Sequence, residues 1–266
     1  MVMRKALIAI VSYLSVVLIV YFTQRLLQYA PDNSYPGKPA QNGLSEMQEI
    51  RLTSEDGINI YAWFAAPKEQ DGKIFIIYHG NAGNLLNRVD KAKKLADRGY
   101  GVYLCEYRGY GGNSGKPSED GLYKDARSAI KWLEKKGYNI SQFVLYGESI
   151  GSGVAVHMAQ EYKTKYLVLE GGFSSAVDVA KSVYPWLPVT MLLKDRYDNM
   201  QKIKNIKTSL LMLHGINDKV VNIKYGRKLY EEANHPKQFM AMEKGGHVDL
   251  FDYGADDVIK KWLETQ

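Results

Sequence analysis

The chain has 266 residues, 45% of them hydrophobic, and is long enough to bury one full core and to carry an appendage. Its single cysteine, Cys105, excludes a scaffold held by internal disulfides. The formal net charge is +6, but lysines alternate with acidic residues along the predicted helices, which is typical of solvated helix faces and argues against a nucleic-acid partner.

Residues 6–22 form an uncharged apolar run near the N-terminus. A helix over this run would extend about 26 Å, enough to cross a thin bilayer core. Arg4 and Lys5 precede the run and Arg25 follows it, and this excess of positive charge favours a cytoplasmic N-terminus. We therefore expect residues 1–30 to be a single-pass membrane anchor, with the rest of the chain on the non-cytoplasmic side.

The alternative for this run is a cleavable signal peptide. Such peptides have a shorter apolar region and end at a cleavage site of small residues. The nearby candidate site, after Ala30, is followed at once by Pro31, which disfavours cleavage. An uncleaved anchor is therefore the preferred interpretation, and the turn-forming residues 31–46 are predicted to be a linker.

From Met47 onward, short apolar runs alternate with helical patterns. Strands are predicted at 48–53, 58–65, 73–78, 101–107, 142–146, 166–169, 209–213 and 237–242. Helices are predicted at 85–98, 119–136, 150–162, 223–234 and 248–264. This alternation predicts an α/β domain over 47–266, with a mostly parallel sheet of about eight strands and helices on both faces. Reactive residues of such sheets lie in loops at the carboxyl ends of the strands.

The segment Gly147-Glu148-Ser149-Ile150-Gly151 fits the pattern G-x-S-x-G between a predicted strand and a predicted helix. In that position the pattern is typical of a nucleophile elbow, a tight turn that exposes a serine hydroxyl at the edge of a sheet. The sequence therefore predicts Ser149 as a nucleophile. A serine needs a base to accept its proton and an acid to orient that base.

Candidates for the acid and the base follow in the required order. Asp218 lies in the loop after the strand at 209–213, and His247 lies in the loop after the strand at 237–242. We predict Asp218 as the acid and His247 as the base. Glu170 is an alternative acid, because it ends the strand at 166–169. Four other histidines do not fit the role of the base. His79 and His214 precede the serine or the acid in the chain, His157 lies within a predicted helix, and His235 lies in a turn beside Pro236.

Acyl transfer also needs donors for the developing oxyanion. We predict the backbone N–H of Ile150 as one donor and Asn81, in the glycine-rich loop 78–84, as the other. The alternative for this loop is an ordinary turn between a strand and a helix. Because the sequence contains none of the usual metal-binding or phosphate-binding motifs, we expect no metal and no cofactor.

Residues 172–207 interrupt the alternation of strands and helices before the strand at 209–213. An insertion there is a candidate lid, and its apolar segment 183–193 could line a pocket for an acyl chain. Packing of the same residues on the core, without a role in binding, is an equally good interpretation at this stage.

Three motifs resemble those of one known family: His79-Gly80-Asn81-Ala82-Gly83-Asn84, the segment 107–115, and the elbow at 147–151. They resemble the membrane-anchored Bem46-type α/β-hydrolases, whose relatives include the ABHD13 and ABHD17 types and S33-type serine hydrolases. The cysteine-rich, lipidated N-terminus of the depalmitoylating relatives is absent here.

The resemblance implies the α/β-hydrolase fold with a small lid, a Ser149–His247–Asp218 triad, and Asn81 and Ile150 as oxyanion donors. It implies a serine hydrolase that cleaves an acyl ester, a thioester or a lipid ester, with a small-molecule or lipid acyl substrate. Two alternatives stay open: a peptidase of the S33 type, and a membrane-tethered interaction protein that uses the fold without turnover.

Overall fold

A computed structural model describes residues 1–266. Its central sheet has eight strands: β1 (Gln48–Thr53), β2 (Asn59–Ala65), β3 (Ile74–Tyr78), β4 (Gly101–Cys105), β5 (Phe143–Glu148), β6 (Tyr166–Glu170), β7 (Ser209–Gly215) and β8 (Lys237–Met242). The strand order is β1-β2-β4-β3-β5-β6-β7-β8, and β2 runs antiparallel to the other seven strands. The predicted α/β class and mostly parallel sheet are therefore confirmed.

Nine α-helices accompany the sheet: α1 (Val2–Gln28), α2 (Val89–Asp97), α3 (Glu119–Lys135), α4 (Ile150–Tyr162), α5 (Ala176–Val183), α6 (Val189–Leu192), α7 (Asn199–Ile203), α8 (Ile223–Glu232) and α9 (Ala255–Glu264). Apolar residues of α3, α4 and α8 pack on one face of the sheet, and those of α2 and α9 pack on the other. Side chains of β3 alternate between the two cores, as expected of a strand buried on both faces.

Some element boundaries differ from the predictions. The strand predicted at 101–107 ends at Cys105, and the buried side chain of the next residue, Glu106, forms hydrogen bonds with His79 and the Leu85 N–H. The helix predicted at 248–264 is divided by Gly254, which has φ 85° and separates a short 3₁₀ turn from α9. The insertion at 172–207 contains three short helices, α5, α6 and α7.

The N-terminal helix α1 has 27 residues and a mean hydropathy of 2.4 over its most apolar window, so it is long and apolar enough to cross a membrane. Its C-terminal end packs on the domain. After Tyr29, Ala30 and Pro31 pair in parallel with Ala82 and Gly83 of the loop 78–84 that follows β3, called the site loop below. Residues 31–46, the predicted linker, include a 3₁₀ turn at Pro39–Asn42, in which Pro39 is buried.

Candidate active site

Ser149 lies on a strained turn between β5 and α4. Its φ of 52° and ψ of −119° are costly for a residue with a side chain. Gly147 permits the turn, since a Cβ there would lie 2.5 Å from the carbonyl oxygen of Gly151. A Cβ on Gly151 would overlap the carbonyl oxygen of Tyr78 in β3. The turn thus holds the Ser149 hydroxyl at the carboxyl edge of the sheet.

The structure brings Ser149, His247 and Asp218 into one hydrogen-bonded chain. His247 Nε2 is 2.8 Å from Ser149 Oγ, and His247 Nδ1 is 2.7 Å from Asp218 Oδ2. The other carboxylate oxygen of Asp218 accepts hydrogen bonds from the backbone N–H groups of Val220 and Val221, both at 2.8 Å. These two bonds fix the carboxylate, which in turn fixes the ring and leaves Nε2 directed at the serine. Such a chain can move a proton from the hydroxyl to the imidazole.

The surroundings of Asp218 keep it ionised. Burial alone raises the pKa of this carboxyl, but hydrogen bonds from His214 and His247 outweigh burial and hold the pKa well below its usual range. His214 Nε2 lies 3.3 Å from Asp218 Oδ2 and 2.9 Å from the carbonyl oxygen of Val221. His214 therefore supports the carboxylate from behind, a contact that the sequence reading missed.

Glu170, the alternative acid, lies elsewhere. Its carboxylate is fully buried and bonds to the Lys91 ammonium and the Tyr146 hydroxyl rather than to His247. Glu170 therefore belongs to an ion cluster beneath the elbow. Among the histidines, His157 stacks on Tyr123, with ring centroids 3.8 Å apart. Burial lowers the pKa of His157 to about 4.

The ion cluster beneath the elbow consists of Arg88, Lys91, Glu148 and Glu170. Arg88 Nη2 is 2.5 Å from Glu148 Oε1, and Lys91 Nζ is 2.7 Å from Glu148 Oε2. Burial raises the pKa of Glu148, but Lys91 and Arg88 outweigh it and hold the pKa well below its usual range. Glu148 Oε1, the oxygen that contacts Arg88, also accepts the backbone N–H of Gly80 at 3.3 Å. The cluster thereby ties the elbow to the neighbouring loop.

Asn81 lies in that loop, beside the serine. Its side-chain amide donates to the Gln28 carbonyl at 3.2 Å, while its backbone N–H donates no hydrogen bond within the protein. Ile150 is the first residue of α4, where helical N–H groups lack intrahelical acceptors. The candidate donors are therefore the two backbone N–H groups. The Asn81 side chain instead holds the end of α1.

A second buried pair supports the loop. His79 Nε2 is 2.8 Å from Glu106 Oε1, and the other carboxylate oxygen of Glu106 accepts the Leu85 N–H at 3.1 Å. The Tyr110 hydroxyl donates to the Asn81 carbonyl at 2.8 Å. These hydrogen bonds hold the loop at His79, at Asn81 and directly after its end at Leu85.

A pocket of about 330 Å³ opens beside Ser149. Of its 20 lining residues, 16 are hydrophobic and none is charged. One wall comes from α1 through Val20 and Leu27, and the facing wall comes from the insertion 172–207 through residues such as Val183 and Leu192. The insertion therefore lines a pocket that a small apolar ligand could enter beside the serine.

The sheet order and the elbow between β5 and α4 define an α/β hydrolase. The family described as "alpha/beta hydrolase fold" matches residues 73–199 of this chain. An esterase of Pyrococcus furiosus, Pf2001, superimposes with a TM-score of 0.69 at 18% identity, covering 89% of this chain and 96% of that one. This likeness shows the fold, and hydrolases of this fold include that esterase.

Sequence relatives place the chain more closely. It is 33% identical to the protein Rv2307c of Mycobacterium tuberculosis over 246 residues, which is 92% of this chain and 87% of the relative. It is 28% identical to the alpha/beta hydrolase domain-containing protein WAV2 of Arabidopsis thaliana, covering 91% and 86% of the two chains. The chain belongs to this Bem46-like and ABHD-like family of α/β hydrolases, as the motifs predicted.

Proposed function

We propose that the protein is a serine hydrolase that cleaves an acyl ester, a thioester or a lipid ester through an acyl-enzyme intermediate. The observation that carries the proposal is the chain from Ser149 Oγ to His247 and on to Asp218, with distances of 2.8 and 2.7 Å. A binding protein has no use for a strained serine aligned with a base. This favours turnover over the non-catalytic alternative.

The mechanism follows from the positions of these groups. His247 takes the Ser149 proton as Oγ attacks the substrate carbonyl carbon, and the N–H groups of Ile150 and Asn81 stabilise the negative oxygen. Collapse of the intermediate breaks the bond to the alcohol or thiol, which leaves with the proton held by His247. A water then gives a proton to His247 and attacks the acyl carbon. When the bond from that carbon to Ser149 Oγ breaks, His247 returns the proton to Oγ and the carboxylic acid is released. Asp218 stays ionised throughout and stabilises the imidazolium.

The pocket lining favours an acyl substrate over a peptide. A peptidase that reads a free amino terminus needs an acidic group in its pocket to pair with the ammonium. The 20 lining residues include no acidic side chain, and the polar ones are Gln24, Gln28, Asn81 and Ser149. Apolar walls of this kind accept a hydrocarbon chain, whose burial contributes about 0.8 kcal/mol per methylene.

We further propose that α1 is an uncleaved membrane anchor with the domain on the non-cytoplasmic side. Two kinds of contact support retention of the helix. Arg25 donates to both carboxylate oxygens of Asp195, at 2.7 and 3.0 Å, and Ala30 pairs with the site loop through the Asn81 carbonyl at 2.9 Å. Cleavage after Ala30 would remove one wall of the pocket and both contacts. Arg4 and Lys5 support the orientation.

A panel of p-nitrophenyl esters of increasing chain length tests the proposal. We expect hydrolysis by the full chain in detergent micelles, and we expect kcat to fall by about 10⁴-fold or more in Ser149→Ala. Ser152→Ala is the matched control, because Ser152 is buried one turn away and its hydroxyl has no hydrogen-bond partner. Equal rates in the Ser149 and Ser152 variants would contradict the proposal. A flat preference across chain lengths would count against the acyl pocket.

A further inference from the structure

Residues 186–194 of the lid contact α1 at two separate positions along the helix. Near the C-terminal end of α1, the Gln24 side chain donates to the Leu192 carbonyl at 3.0 Å and accepts the Lys194 N–H at 2.7 Å. Eleven residues earlier, the Tyr13 hydroxyl donates to the Trp186 carbonyl at 3.0 Å. The segment between Trp186 and Leu192 therefore runs along the helix instead of lying across its end.

The contact at Gln24 lies beside a group of aromatic and charged residues that marks a polar boundary. The Lys194 ammonium lies 4.1 Å from the centre of the Tyr21 ring, and Arg25 is ion-paired with Asp195 one turn further on. Aromatic and basic residues of this kind are typical of the membrane interface. If α1 spans a bilayer, the hydrocarbon layer begins near Tyr21 and extends toward the N-terminus of the helix.

The contact between Tyr13 and Trp186 lies well inside that hydrocarbon layer. Tyr13 precedes Tyr21 by eight residues, a distance of about 12 Å along a helix axis. Side chains of a helix lean toward its N-terminus, so the Tyr13 hydroxyl does not lie closer to the interface than its Cα. The backbone at Trp186 is therefore at a depth of about 12 Å on this geometry.

The composition of the lid fits that depth. Residues 182–193 contain no charge, and Lys181 and Lys194 flank them. Several large apolar side chains of the segment are exposed in the isolated chain, namely Val183 (55%), Trp186 (54%) and Met191 (86%). A protein surface that faces water rarely carries several large apolar side chains close together, whereas a surface that faces lipid requires them. The Trp186 carbonyl, which would be costly to leave unpaired in lipid, is the group that Tyr13 satisfies.

We propose that residues 182–193 insert into the hydrocarbon layer beside α1, and that the pocket between them admits the acyl chain of a bilayer lipid from the side. The chain would lie between Val20 and Leu27 of the anchor and the apolar residues of the lid, with its carbonyl at Ser149. The substrate is then a membrane-resident acyl ester rather than one that arrives from water. This inference rests on the proposed hydrolase function and on the proposed anchor.

Insertion is tested by thiol accessibility in the full chain reconstituted into lipid nanodiscs, which expose both membrane surfaces. The wild type gives the blank, because its only cysteine, Cys105, is buried. Pro185→Cys is the probe, because Pro185 is exposed, adjoins Trp186 and does not line the pocket. The matched control is Asp71→Cys, which is exposed in the loop before β3, at the opposite edge of the sheet.

We expect a charged, water-soluble thiol reagent to modify Pro185→Cys at least ten times more slowly than Asp71→Cys in nanodiscs, and at an equal rate after denaturation. Equal rates in the intact nanodisc would overturn the insertion of the lid. This measurement does not depend on catalysis.

Entry from the bilayer is tested by the ratio of two hydrolysis rates, one for a long-chain ester carried in phosphatidylcholine vesicles and one for a water-soluble short-chain ester. We expect Pro185→Lys to lower this ratio at least fivefold, and Gln70→Lys, at the far edge of the sheet, to leave it unchanged. An unchanged ratio in Pro185→Lys would overturn entry from the bilayer. If no variant and no wild type hydrolyses either ester, the proposed hydrolase function fails, while the thiol rates still decide insertion.

Discussion

Removal of the Lys91 ammonium should disrupt the ion cluster beneath the elbow and thereby destabilise the fold. Lys91 Nζ lies between two buried carboxylates, 2.7 Å from Glu148 and in direct contact with Glu170. The side chains of these three residues are 6%, 3% and 0% exposed, so water cannot replace the lost partner. Burial lowers the pKa of Lys91, but the two carboxylates outweigh it and raise the pKa. The ammonium is therefore charged in the folded protein.

The expected cost follows from the burial of the cluster. In Lys91→Met, Glu148 keeps Arg88 as a partner, but Glu170 is left with the Tyr146 hydroxyl alone. Breaking a buried ion pair by removing one partner typically costs about 3 to 5 kcal/mol. We expect Lys91→Met to lower the free energy of unfolding at pH 7 by that amount.

The loss of unfolding free energy in Lys91→Met should depend on pH and should be smaller in acid. In the wild type the folded-state pKa of Glu148 lies below its unfolded value, so this carboxylate contributes stability above about pH 4, and the contribution is lost as pH falls further. Without Lys91 that contribution is smaller. The difference between wild type and Lys91→Met should therefore narrow as pH falls below about 4.

Urea unfolding of the full chain in detergent micelles, followed by tryptophan fluorescence, measures the effect. Lys93→Met is the matched control on the same helix, because Lys93 is 54% exposed and paired only with Asp97, also exposed. Exposed pairs of this spacing contribute about 0.3 to 0.5 kcal/mol. If Lys91→Met costs no more than Lys93→Met, the cluster does not stabilise the elbow in the way described.

Three further variants test separate parts of the site. Asp218→Asn should lower kcat by about 10⁴-fold with little change in KM, because it removes the anion that stabilises the imidazolium; a loss under tenfold would contradict this role. Gly151→Ala should not give a native near-ultraviolet circular dichroism spectrum, because its Cβ would overlap the Tyr78 carbonyl oxygen. Asp195→Asn should reduce stability by about 1 to 3 kcal/mol, since Asp195 accepts two bonds from Arg25; an unchanged melting temperature would contradict the clamp.

The sequence predicted those parts of the fold that local pattern determines. Continuous apolar runs identified the buried strands, and glycines at 147 and 151 identified the turn that carries Ser149. Chain order, together with a position in a loop after a strand, pointed to Asp218 and His247, and the structure brings both to Ser149. These signals are readable because each depends on a few neighbouring residues or on the edge of the sheet where a loop must lie.

Contacts between distant segments were not predictable in the same way. Arg25 and Asp195 are 170 residues apart, and neither lies in a pattern that marks it for pairing. Glu148 occupies the variable position of the elbow motif, so its two cationic partners could not be inferred. The pairing of Ala30 and Pro31 with Ala82 and Gly83 could not be inferred either, because turn formers indicate a bend in the chain without indicating which surface the bend follows.

The central claim is that Ser149, activated by His247, is the nucleophile. Its most direct test is mass spectrometry of the full-length protein after treatment with a fluorophosphonate, which phosphonylates an activated serine and releases fluoride. The account predicts one adduct, located on the peptide that contains Ser149, absent from Ser149→Ala and strongly slowed in His247→Ala, with Ser152→Ala labelled like the wild type. An unlabelled wild type that is demonstrably folded, or equal labelling of Ser149→Ala, would contradict it.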